Sequence, residues 1–215
     1  MTTDSHASAV PPAPRSTSPR RSTGWGWLGL AAATLLALAG IWLTGGGTDD
    51  PRAARARPYA LTTADIALAA AREPGDYRVT SPPIDLGVAE RMAQAALAGK
   101  ARLPDARYIA TYRDAGTGEE ITVAALLYDD PAQAAALEAA AARLLASAFR
   151  LESEPLPLAG VDSPRLWVAG NYRALSFRVG AVLVFVGTTR IDDINYLWRL
   201  AEAARVRVRQ GLPGE

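Results

Sequence analysis

Any chemistry in the body of this chain has to be done with Asp, Glu, Arg, Tyr and Ser. There is no Cys among the 215 residues, and the single His, His6, stands close to the N-terminus. The missing thiols exclude disulfides, thiolate nucleophiles and Cys-ligated metal or iron–sulfur centres. They also exclude a lipid anchor attached through Cys. With His6 so far from the rest, neither a Ser-His-Asp triad nor a His-ligated metal can be built, and no metal site is expected.

The most tempting carboxylate pairs are Asp129-Asp130 and Asp192-Asp193. Paired carboxylates can bind a cation or divide acid and base roles. Each pair also stands where a helical pattern begins, and there Asp caps free amides and complements the helix dipole. The capping role explains both pairs without a ligand. A second group is aromatic and cationic. Trp167, Tyr172 and Tyr196, with Trp198 beside them, suit an apolar pocket in which Arg173 or Arg190 holds an anion. These five residues, Trp167, Tyr172, Arg173, Arg190 and Tyr196, form the candidate ligand site. Packing in the core or at its edge is the competing role for such large aromatics. Arg199, Arg205, Arg207 and Arg209 make the last helix basic, which suits a helix C-terminus or contact with anionic headgroups.

No G-x-S-x-G, P-loop or H-E-x-x-H motif occurs, and no cofactor is expected. Gly24, Gly26 and Gly29 do spell G-x-G-x-x-G. That fingerprint works only between a strand and an amphipathic helix, where backbone amides face a pyrophosphate. Here a polar tail precedes it and an apolar run follows. The charge balance, 23 Lys plus Arg against 22 Asp plus Glu, lacks the basic excess of a nucleic-acid binder.

The elements that must carry these residues begin with a tail. Residues 1–24 are rich in Pro, Ser and Thr and carry Arg15, Arg20 and Arg21. They read as a disordered basic tail. The 19 residues Trp25–Leu43 hold no charge. As a helix they span about 28 Å, close to a hydrocarbon core of about 30 Å. Trp25, Trp27 and Trp42 stand at its ends, where indoles favour the membrane interface. The run reads as a single transmembrane anchor. Cleavage after Ala37-Leu38-Ala39, giving a secreted domain, is the competing reading. Gly29, Ala33, Ala37 and Gly40 form a small-residue stripe that suits a helix–helix contact with a membrane-protein partner. Arg20 and Arg21 favour a cytoplasmic N-terminus and an extracytoplasmic C-terminal domain, opposed by Arg52, Arg55 and Arg57. Residues 44–58, opening with Gly45-Gly46-Gly47, read as a flexible stalk.

Residues 59–212 read as one soluble α+β domain. Thr62 or Thr63 suits a helix N-cap, and Glu73-Pro74-Gly75 a turn. Tyr77–Val79 suits a short strand, and Leu86–Ala98 a helix ended by Gly99. Two segments then share one order. Arg107–Arg113 alternates as a strand, a loop follows at 114–118, and Ile121–Tyr128 is an apolar strand covered on both faces. Pro131 opens a helix with its inward stripe at Ala134, Leu137, Ala141, Leu144, Leu145 and Ala148. In the second segment the strands are Arg165–Val168, Tyr172–Arg178 and Ala181–Val186. The following helix has its stripe at Ile194, Leu197, Trp198, Ala201 and Ala204. The recurrence suggests a ββα unit used twice, in an antiparallel sheet with packed helices.

The expectation from sequence is therefore a membrane-tethered, extracytoplasmic binding or interaction domain, such as an accessory subunit of a membrane complex. Its partners would be lipid and another membrane protein. A carboxylate-based hydrolase is the opposing class. Two convergent carboxylates about 5–9.5 Å apart would mark it.

Overall fold

A computed structural model describes residues 51–71, 76–80, 104–149, 151, 153–170, 172–190 and 192–212. The tail, the Trp25–Leu43 run with its Gly29, Ala33, Ala37 and Gly40 stripe, the turn at 73–75 and the Leu86–Ala98 segment lie outside these residues. No helix among the described residues is long and apolar enough to cross a membrane.

Among the described residues seven antiparallel strands form one sheet. They are β1 (Tyr77–Thr80), β2 (Ala106–Asp114), β3 (Glu120–Leu127), β4 (Ser153–Pro155), β5 (Asp162–Ala169), β6 (Tyr172–Val179) and β7 (Val182–Thr188). Their order across the sheet is β1-β2-β3-β7-β6-β5-β4. The described helices are α1 (Pro51–Ala56), α2 (Thr63–Ala70), α3 (Pro131–Phe149) and α4 (Ile194–Gly211), and a 3-10 turn at Arg57–Tyr59 follows α1. The architecture is α+β, as the alternation and turn signals predict.

The two apolar runs become the central strands. β3 and β7 pair along their length, from Ile121↔Thr188 to Leu127↔Val182. Alternate side chains feed two cores. On one face Ile121, Val123, Val184 and Val186 pack under α2 and α4 with Leu197, Leu200, Ala201 and Ala204. On the other, Ala124, Leu126, Leu183 and Phe185 pack under α3 with Ala134, Leu137 and Leu145. Burial on both sides is why these strands lack polar alternation.

The placement of the helices breaks the apparent repeat. A two-fold axis relating antiparallel neighbours β3 and β7 stands perpendicular to the sheet, so it would put both following helices on one face. They cover opposite faces. Only residues 128–130 join β3 to α3, whereas residues 189–193 join β7 to α4. The recurring order is thus not a repeat in space. The last helix buries Leu197, Ala201 and Ala204 of its expected stripe and adds Tyr196, Leu200 and Val208, whereas Trp198 is half-buried.

Residues 51–58 belong to the fold rather than to a flexible stalk. Ala53 and Ala56 of α1 are buried, and Arg55 approaches Asp129 at 3.8 Å, just past the end of β3. α2 opens with a reciprocal cap. Thr62 Oγ1 accepts from the Asp65 amide at 3.3 Å, and Asp65 Oδ2 accepts from the Thr62 amide at 2.8 Å. Thr62→Ala removes the hydroxyl half of this pair and is expected to cost about 1 kcal/mol. A lower urea midpoint with an unchanged m-value would show it; an unchanged midpoint would refute it.

Asp114 ends β2 by turning its side chain back on the loop, accepting from the amides of Gly116 at 2.7 Å and Thr117 at 2.9 Å. The acidic helix starts behave as read. Asp130 Oδ1 accepts from the Ala132 amide at 2.9 Å, and Asp193 Oδ1 from the Tyr196 amide at 3.0 Å. β4 and the first residues of β5 fall outside the expected strands. Ser163 there has φ of 48° beside a register shift, which hides the alternation.

Candidate functional site

The sheet has two ends. At the Leu127 end lie the start of β2, the β6–β7 turn, α1 and the last turn of α4, where the ring of Tyr59 would meet a Cβ on Gly211 at 2.9 Å. At the Thr188 end lie the β2–β3 loop and the first turn of α4. The most concentrated set of polar side chains around a candidate residue sits at this second end.

Its floor is Tyr196, fully buried. Burial pushes its hydroxyl far above the usual phenol range, and the Glu119 charge and the Tyr77 hydroxyl beside it push the same way. Tyr196 stays neutral at any ordinary pH. Arg190 lies over its ring at 5.1 Å from the centroid and Arg199 at 5.9 Å, within cation–π range. Both guanidinium groups share Asp193 Oδ2, each at 3.6 Å. That spacing is ionic but too long for a hydrogen bond. Arg199 Nε donates to the Ala69 carbonyl at 2.7 Å, tying α4 to the end of α2. The Arg190 guanidinium makes no hydrogen bond among the described residues, and its side chain is 39 % exposed. It keeps its planar set of donors open, the geometry that grips a carboxylate or phosphate.

Glu119 closes the inner side. It is buried, and its Oε1 accepts from Thr188 Oγ1 at 2.9 Å. Thr188 Oγ1 in turn accepts from the Arg190 amide at 3.0 Å, which fixes the chain where Arg190 leaves the sheet. Arg173 stands directly opposite Thr188 in the β6–β7 register, half-buried on the α4 face.

The five candidate residues therefore separate. Arg190 and Tyr196 come together on the α4 face, and Arg173 shares that face opposite Thr188. Trp167 and Tyr172 lie in the other core, under α3. Trp167 Nε1 donates to Ser176 Oγ at 2.8 Å, and the Tyr172 ring crosses Gly187 toward Thr122. Burial raises the Tyr172 hydroxyl too, and Thr122 offsets only part of that. Both are packing residues. Glu119, Tyr77, Thr188, Asp193 and Arg199 are the additional members of the site. Asp193 and Arg199 carried a local signal as cap and basic helix. Glu119 and Tyr77 had none.

The basic residues of α4 find partners within the fold. Arg205 pairs with Glu202, Arg207 approaches Asp65 at 3.9 Å, and Arg209 donates to the Gly160 carbonyl at 2.8 Å. Of the buried carboxylates, Asp114 and Glu119 close the two ends of the β2–β3 loop, and Glu138 lies apart from them. Glu138 is on the α3 face, held by Arg178 Nε at 2.8 Å, while Glu119 is on the α4 face. Among the described residues no three carboxylates are grouped to hold a metal ion. The arrangement can meet an anion at the exposed guanidinium of Arg190. A scan against protein-family profiles and a search of curated proteins gave no match.

Proposed function

We propose that this protein is a membrane-tethered, extracytoplasmic binding module. The observation that carries this reading is one of spacing. An uncharged 19-residue run bracketed by Trp ends at Leu43, and the folded domain starts at Pro51. A run of that length matches the bilayer core, and the short connection keeps the domain at the membrane surface. Binding is supported by the Arg190 guanidinium, which is 39 % exposed and makes no hydrogen bond among the described residues. Its ligand would present a carboxylate or phosphate to Arg190 and Arg173.

Full-length protein is expected to stay in the membrane pellet after alkaline carbonate extraction. Leu35→Arg with Leu36→Arg should release most of it. Protease added outside intact cells should remove the C-terminal domain. Complete extraction of the unaltered chain would defeat the tether, and protection of the domain would defeat its outward placement. A shortened N-terminus in the extracted protein would support the cleaved, secreted form.

A further inference from the structure

We infer that the anchored domain stands with its Leu127 end toward the bilayer and presents the end that carries Arg190 to the aqueous phase on the opposite side. This rests on the tether proposed above. The positions of the first helices carry it. α1 docks beside Asp129, at the end of β3, and Tyr59 packs against Gly211, at the end of α4. α4 has by then run the height of the domain, from Ile194 at one end to Gly211 at the other, 18 residues or about 27 Å. The eight residues of β3 cover a similar height, about 26 Å. The site is therefore a full sheet-height from the point where the chain enters the fold.

The connection decides the orientation. Residues 44–50 reach about 25 Å when fully extended. Turning the domain over would require that limit merely to run back along the sheet, with nothing left to clear the side of the domain. With the Leu127 end down, the same residues need span only a small gap. Arg190, 39 % exposed, then faces water and soluble partners rather than headgroups. A soluble ligand carrying carboxylate or phosphate can reach it, whereas a lipid headgroup of the same bilayer cannot.

The absence of Cys makes the test direct. Ala115→Cys in the β2–β3 loop and Asp129→Cys after β3 both introduce a thiol at an exposed position. Each full-length variant is spin-labelled, reconstituted into phosphatidylcholine vesicles containing a nickel-chelating lipid, and floated. Relaxation of the label by headgroup nickel is expected to be several-fold stronger at position 129 than at 115. Equal relaxation, or stronger relaxation at 115, with the protein still on the vesicles overturns the orientation and leaves the tether standing. Failure of both variants to float overturns the tether, and the orientation with it.

Discussion

Replacing Arg178 with Met is expected to destabilise the fold by about 3–5 kcal/mol, the usual loss when one partner of a buried ion pair is removed. Arg178 and Glu138 have side chains only 13 % and 8 % exposed, and Nε–Oε2 is 2.8 Å. Glu138 Oε1 already has no hydrogen-bond partner among the described residues, so the carboxylate has little else to lean on. Burial holds the Glu138 carboxyl above the ordinary Glu range, and Arg178 pulls it partly back. The sign follows from that direction. A carboxyl with a raised folded value contributes its full stability below the unfolded value and loses it as pH rises through the folded one. Taking Arg178 away pushes the folded value higher still. Arg178→Met should therefore cost least near pH 4, about the ordinary Glu value, and most near neutrality. Glu138→Gln should flatten the pH dependence, and Arg178→Met with Glu138→Leu should recover most of the loss. Urea unfolding of the full chain in mild detergent, followed by tryptophan fluorescence, reads all three. An equal cost at both pH values would rule out the ionised carboxylate as the cause.

Gly187→Val is expected to be comparably severe. Gly187 faces the α3 core in the middle of the sheet, and a Cβ there would land on the Tyr172 hydroxyl and its ring carbons. Neither side can yield: Gly187 is held in register with Thr122 and Ala174, and Tyr172 is buried. Overpacking of this kind costs about 1–3 kcal/mol, and more where the backbone is fixed. Tyr172→Ala alone removes a large buried ring and costs about 3–5 kcal/mol. Combined with Gly187→Ala, the loss should fall well short of the two single losses added, because the new methyl enters the vacated space. Strict additivity in chemical denaturation would show that the ring and the glycine are not in conflict.

Much of this architecture is written locally. The apolar runs at 121–127 and 182–186 announced two-sided burial, and Asp130, Asp193 and Thr62 announced helix starts. Arg190 and Tyr196 are near neighbours in the chain, so their meeting was legible as well. The pocket that also enlisted Trp167 and Tyr172 fails on strand geometry alone. Tyr172 and Arg173 are consecutive in β6, and consecutive strand residues point to opposite faces. Other features depend on long-range pairing. Glu119 meets Thr188 across 69 residues of sequence, and nothing near Glu119 marks it. The face chosen by each helix was equally hidden, since it turns on the length and path of a few connecting residues.

The central pairing has a consequence for synthesis. β3 is complete once Leu127 has been made, but its partner β7 ends at Thr188. Contacts so distant in sequence close slowly, because loop entropy is lost before packing compensates it. Chains elongate at about 5–20 residues per second, so β3 waits several seconds with an unpaired edge and uncovered apolar faces. Until β7 arrives the nascent chain presents Val123, Ala125 and Leu127 to whatever surrounds it. The domain closes late and all at once, when its last strand is threaded into the middle of the sheet.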